Sequence, residues 1–161
     1  MIGLGLLVLR LALAVVFFAH GANKLFGLFG GPNIGPGGLT ATSAFFDAVG
    51  LHPAFVLAAV DAVVEVSGAI LLGLGLFTRW ASLALAASMA VAIWKVHLQW
   101  GFFLNWVGAP DRGQGLEFSF LLLLALVALS LTGGGDVSID GMNQRSADRD
   151  AAGRARLRGK V

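Results

Sequence analysis

The sequence predicts an all-α integral membrane protein, an antiparallel four-helix bundle whose N- and C-termini both lie in the cytoplasm. Three observations predict this fold class. Of the 161 residues, 57% are hydrophobic and only 12% are charged, whereas soluble domains contain about 25% charged residues. Four apolar runs are each close to the roughly 20 helical residues that cross a bilayer. Most basic residues lie in one short turn and in the C-terminal tail.

The membrane domain is expected to cover residues 1–135, with spans at about 2–26, 54–77, 80–104 and 116–132. The first nine residues lack the basic start of a secretory signal, so we expect the first span to be retained. Glycines and prolines then end that span. Residues 40–49 start with Thr or Ser and stop before Gly50, which favours a short interfacial helix. A loop that places Phe45 and Phe46 among the headgroups is the alternative.

Pro53 fits the first turn of the second span. The turn at Thr78 and Arg79 is so short that the second and third spans must be antiparallel neighbours. Gly133 to Gly135 end the fourth span. Residues 136–161 then form a polar, basic tail that we expect to be disordered in isolation.

The basic residues predict the orientation, because cytoplasmic segments carry an excess of Lys and Arg. The residues concerned are Arg79 in the short turn and, in the tail, Arg145, Arg149, Arg154, Arg156, Arg158 and Lys160. An even number of spans places the N-terminus on the same side. Since the basic excess is confined to these segments, we infer no nucleic-acid partner.

Ionisable residues occur in every predicted span, although a charge near the bilayer centre costs roughly 2.5–3.5 kcal/mol on insertion scales. Pairing is therefore close to obligatory. The spans contain as many basic as acidic residues: Arg10, Lys24, Lys95, Asp61, Glu65 and Glu117. Most of this polar seam, together with His20, Asn23 and His97, is expected in the outer half of the bundle.

Arg10 lies nearer the inner side, where we expect it to form a structural ion pair with Glu65 or to reach the cytoplasmic interface. Asp61 and Glu65 are i,i+4 neighbours on one helix face. Two carboxylates this close repel unless a cation separates them, so Glu65 is also a candidate proton carrier. Lys24 could instead anchor a helix end.

Lys95 and His97 point to opposite faces of the third span, and we expect His97 inside the seam and Lys95 directed outward. A haem held by His20 and His97 has no further support, and we assign none. The sequence contains no metal-ligand spacing, nucleophile triad or phosphate loop. It also has no cysteine, which excludes disulfides, thiol redox chemistry and iron–sulfur ligation within the chain.

Several short motifs are distributed along residues 4–140. They are Arg10, His20-Gly21-x-x-Lys24-Leu25-Phe26-Gly27, Glu65-x-x-Gly68, His97 followed by Gly101-Phe102-Phe103, and Glu117. Together they resemble the DoxX family of small four-helix bacterial membrane proteins. The resemblance implies a multi-pass protein of the bacterial plasma membrane that is a subunit of a redox system.

The same resemblance implies a quinone cofactor in the polar pocket of the outer half. His20 and His97 would hydrogen-bond its carbonyl oxygens, and Glu65 or Glu117 would donate protons when it is reduced. The binding set is expected to be His20, Asn23, Lys24, Asp61 and His97, and the apolar walls Phe17, Phe18, Phe102 and Phe103.

Other functions remain open from the sequence. The seam could only hold the bundle together while the basic tail recruits a soluble partner or anionic lipid, as in a membrane scaffold or assembly protein. Alternatively, Glu65 could serve a small proton-coupled carrier. A subunit of a redox system would work with a soluble or membrane redox partner. Glycine-rich helix faces are compatible with a homodimer. Whether the chain is itself an enzyme stays open.

Overall fold

The computed structural model describes residues 2–30 and 37–158, and every regular element in these ranges is helical. The helices are α1 (Ile2–Phe26), α2 (Gly38–Ala48), α3 (Ala54–Leu74), α4 (Thr78–Ala92), α5 (Glu117–Thr132) and α6 (Ile139–Arg158). A π-helical turn, Ile93–His97, and a 3-10 turn, Leu98–Trp100, continue α4. The predicted all-α class is confirmed, and α2 occupies the segment where a short helix was expected.

Three helices are long and apolar enough to cross a membrane: α1, α3 and the continuous helix Thr78–Trp100. Helix α3 ends before the expected limit at residue 77, because Gly75 adopts a positive φ of 67°. The Thr78–Trp100 helix ends before the expected limit at residue 104, because Gly101 adopts a positive φ of 79°. Helix α5 is apolar too, but its 16 residues extend only about 24 Å.

The long helices pack side by side, α1 on α3, α3 on α4 and α4 on α5, with α1 and α5 also in contact. Their shared core is aliphatic and aromatic and includes Leu13, Phe17, Leu72, Leu85 and Leu126. Large apolar side chains on the outward faces are exposed, as expected of helices that meet lipid.

Arg10 is fully buried near the start of α1 and is held by backbone carbonyls. Its guanidinium donates to the carbonyl oxygens of Leu72, at 3.4 Å, and Val137, at 2.5 Å. Gly75 makes room for it, because a Cβ there would lie 1.6 Å from Arg10 Nη1. The C-terminal carbonyls of a helix carry partial negative charge, so α3 neutralises part of this cation.

The expected ion pair between Arg10 and Glu65 does not form. Arg10 lies level with Leu72, whereas Glu65 lies seven residues earlier on α3, about 10 Å away along the helix axis. The carboxylate of Glu65 binds Lys24 instead.

The tail that we expected to be disordered contains α6, and its first turn is tied to the membrane helices. The Asp140 carboxylate accepts hydrogen bonds from the backbone N–H groups of Phe77 and Thr78, both at 2.9 Å. These groups lie at the N-terminus of α4, where no intrahelical acceptor exists. The Asp140 N–H donates in turn to the Gly75 carbonyl. Residues 142–155 of α6 are exposed.

Replacing Asp140 with alanine should lower the free energy of unfolding by about 0.5–2 kcal/mol, because it removes the cap of α4. Thermal unfolding of the purified protein in detergent measures the change. Asp148→Ala, on an exposed part of α6, is the matched control. Equal unfolding temperatures for the two variants would contradict the capping role.

Candidate functional site

Lys24 on α1 binds two carboxylates that lie one turn apart on α3. Its Nζ atom lies 2.5 Å from Asp61 Oδ2 and 2.9 Å from Glu65 Oε1. Glu65 is almost completely buried, at 4% exposure, and the other two side chains are partly buried. With both carboxylates ionised, one positive and two negative charges leave a net charge of −1 on this group, the Lys24 triad.

The remaining oxygens of the two carboxylates differ in their surroundings. Ser88 on α4 donates a hydrogen bond to Asp61 Oδ1, so three helices meet at the site. Glu65 Oε2 is buried and has no hydrogen-bond partner among the described residues. Buried polar atoms are normally paired, so this oxygen is the atom of the triad that can accept a proton.

The sequence around Lys24 explains how α1 comes close enough to α3. Gly21 lies one turn before Lys24, and a Cβ at Gly21 would be 2.8 Å from the backbone nitrogen of Val66. The absence of a side chain lets the helices touch, and the lysine then reaches both carboxylates. Since Asp61 and Glu65 are four residues apart, both face α1.

A cavity of about 610 Å³ opens beside the triad. Its walls are mainly apolar and come from α2, α3 and the Thr78–Trp100 helix, including Phe45, Phe46, Val49, Leu57, Val60, Val64 and Val91. Its polar lining consists of His20, Asn23, Lys24, Thr42, Asp61, Ser88 and Lys95. Helix α2 therefore covers one side of a space in which charged and apolar surfaces meet.

Most of the polar lining is already engaged within the protein. Asn23 Nδ2 donates to the Leu28 carbonyl at 3.0 Å. Thr42 Oγ1 donates to the carbonyl of Gly38 at 3.0 Å. The side chains of His20 and Lys95, in contrast, form no hydrogen bond or ion pair with the described parts of the chain. These two are the donors that a ligand in the cavity can use.

Three predicted binding or catalytic residues, Glu65, His97 and Glu117, do not line the cavity. His97 Nδ1 lies 3.0 Å from the Gln114 carbonyl oxygen, and Glu117 Oε2 accepts a hydrogen bond from the Leu104 N–H at 3.2 Å. Both side chains fasten the loop between the Thr78–Trp100 helix and α5.

Lys95 occupies the place in the cavity that was expected of His97. Lys95 lies seven residues after Ser88 and four after Val91, a spacing that places these three cavity-lining residues on one face of the helix. A residue nine positions after Ser88, as His97 is, falls on the opposite face. The ammonium of Lys95 lies 4.6 Å from the ring centroid of Trp94.

The aromatic walls also differ from the expected ones. Phe17 belongs to the core at 1% exposure, and Phe102 and Phe103 pack edge to face in the loop after the helix. Phe45 and Phe46 of α2 line the cavity instead. Their position on a predicted short helix next to the polar end of α1 was the available signal.

The described residues contain no group of three or more His, Asp and Glu side chains placed to hold a metal ion. The fold and site define a multi-pass membrane protein whose helices enclose a charged triad and an adjoining cavity.

Comparison with known proteins agrees with this class. Residues 5–98 match the sequence model of the DoxX family. Over 137 residues, 85% of each chain, the sequence is 34% identical to a protein of Bacillus subtilis (strain 168) named "Putative oxidoreductase CatD". The chain belongs to the DoxX family, as its motifs predicted. No solved structure matches it. The matched range contains the whole triad and Lys95, and excludes Glu117.

Lys24→Met should lower the free energy of unfolding by about 3–5 kcal/mol, because two carboxylates would be left without their cation. Replacing all three residues, as Lys24→Met, Asp61→Asn and Glu65→Gln, should recover much of this loss. Thermal unfolding in detergent compares the variants. A triple variant as unstable as Lys24→Met would show that charge pairing is not what Lys24 contributes.

Proposed function

We propose that this DoxX-family chain is a membrane subunit of a redox system and binds a quinone in the cavity beside the Lys24 triad. The observation that carries the proposal is the combination, in one cavity, of apolar aromatic walls with an uncommitted donor, His20. A quinone has a flat apolar ring whose carbonyl oxygens accept hydrogen bonds. Small-molecule sites have this composition, with a few polar groups in a largely apolar pocket.

The size and position of the cavity support the proposal. Its volume, about 610 Å³, falls within the roughly 300–1,000 Å³ of typical ligand sites. Phe45 and Phe46 provide apolar surface for the ring, and α2, which carries them, covers the cavity from one side. The name of the Bacillus subtilis relative, "Putative oxidoreductase CatD", is consistent with a redox role.

We further propose that α5 serves as the fourth span of an antiparallel bundle in the bacterial plasma membrane, with both termini in the cytoplasm. Arg79 and the basic residues of α6 favour this orientation. Lys24 lies fourteen residues beyond Arg10 on α1, about 21 Å along the axis. In this arrangement the cavity belongs to the outer half of the bundle.

A bound quinone would accept two electrons and two protons and leave as a quinol. His20 would hold one of its carbonyl oxygens by a hydrogen bond. Glu65, with one oxygen on Lys24 and the other unpartnered, is the residue placed to hold a proton next to the cavity. Since the chain has no cysteine for thiol chemistry, the electrons would come from a redox partner.

A proton-coupled carrier is the second candidate, and the unpartnered Glu65 Oε2 favours it. The two functions differ in a direct observable. A carrier moves protons across a liposome membrane without an electron donor, whereas a quinone-binding subunit does not.

Adding 1,4-naphthoquinone to the purified protein should raise its unfolding temperature, because a ligand that binds only the folded state stabilises it. His20→Ala should abolish this shift, since the variant lacks the proposed donor. His52→Ala, an exposed histidine at 64% exposure that does not line the cavity, is the control and should respond like the wild type. No shift in the wild type would refute quinone binding, and a full shift in His20→Ala would refute the role of His20.

A further inference from the structure

Lys95 is a cation in a membrane-length helix that has no carboxylate partner among the described residues. The ion pairs found there join Lys24 to Asp61 and Glu65, and two exposed pairs lie elsewhere. The half-buried Lys95 side chain lines the cavity, and its Nζ contacts the Trp94 ring. A cation–π contact replaces only part of the stabilisation that an ammonium loses when water is excluded.

The nearby acids are already committed to other groups. Asp61 binds Lys24 through one oxygen and Ser88 through the other. Glu65 binds Lys24 and does not line the cavity. Among the residues that line the cavity, Lys24 and Asp61 neutralise each other at the triad end, whereas Lys95 gives the other end a charge of +1. An anionic group on a ligand would therefore be attracted to Lys95.

We propose that Lys95 selects ligands whose ring carries an anionic oxygen, such as an ionised hydroxyl or a carboxylate. This inference rests on the proposed function and narrows it to acidic quinones. The cavity binds an acidic quinone more tightly than a neutral one of the same size. The charged oxygen meets Lys95, and the opposite carbonyl is left to His20, because the two side chains come from different helices of the same cavity.

A matched pair of probes tests the assignment: neutral 1,4-naphthoquinone and 2-hydroxy-1,4-naphthoquinone, which is an anion at neutral pH. Dissociation constants are measured at pH 7.5 by equilibrium dialysis, with the full chain in nanodiscs of zwitterionic lipid. Four proteins are compared, the wild type, Lys95→Met, Lys95→Arg and Arg79→Met. Arg79 is the control because it lies at the other end of the same helix, outside this cavity.

The wild type should bind the anion about tenfold or more tightly than the neutral probe, as expected of a charge-assisted hydrogen bond. Lys95→Met should reduce this preference to less than about twofold while leaving the affinity for the neutral probe unchanged. Lys95→Arg and Arg79→Met should keep the preference.

Four results would overturn the inference. If the wild type binds both probes equally, or if Lys95→Met keeps the preference, Lys95 does not select the anion, although the quinone cavity stands. If the wild type binds neither probe, the proposed function itself fails. Dodecanoate carries its anionic oxygen on a lipid chain, and displacement of the acidic quinone by an equimolar amount would assign the Lys95 end to lipid carboxylates.

Discussion

One ammonium shared between two carboxylates determines how the membrane helices meet. Lys24 can reach Asp61 and Glu65 only because Gly21 brings α1 into backbone contact with α3. Charges inside a membrane-length bundle are costly unless they are paired, so this contact both requires and enforces the approach of the two helices. Ser88 extends it to α4. The cavity is the space left beside this fixed point, with α2 as its cover.

The two ends of α1 neutralise their cations by different means. Lys24 uses side-chain carboxylates, whereas Arg10 uses backbone carbonyls at the end of α3 and before α6. The first arrangement leaves one buried carboxylate oxygen, Glu65 Oε2, without a hydrogen-bond partner among the described residues. The second has only structural contacts and joins α6 to the bundle with the help of Asp140. We therefore expect proton transfer near Lys24 and a purely structural role for Arg10.

Hydrophobic runs and the glycines that end them predict much of the fold. The limits of α1, the start of α3 and the presence of α2 therefore agree with the sequence-based prediction. The i,i+4 spacing of Asp61 and Glu65 also predicts their shared face. Other features depend on information that local sequence lacks. Lys95 shares a helix face with Ser88 and Val91, but the sequence alone does not show that this face meets the cavity, and the cap of α4 comes from Asp140, 62 residues away. The backbone carbonyls that hold Arg10 leave no pattern in the sequence, so charge pairing alone predicts an ion pair with Glu65.

The central claim is that a quinone binds between α2 and the Lys24 triad. An experimental structure of the protein in nanodiscs with 2-hydroxy-1,4-naphthoquinone tests this claim most directly. We expect ligand density against Phe45 and Phe46, with the oxygens of the quinone directed to His20 and Lys95. Density at His97 and Glu117, or at the α6 end of the bundle, with an empty cavity beside Lys24, would contradict it.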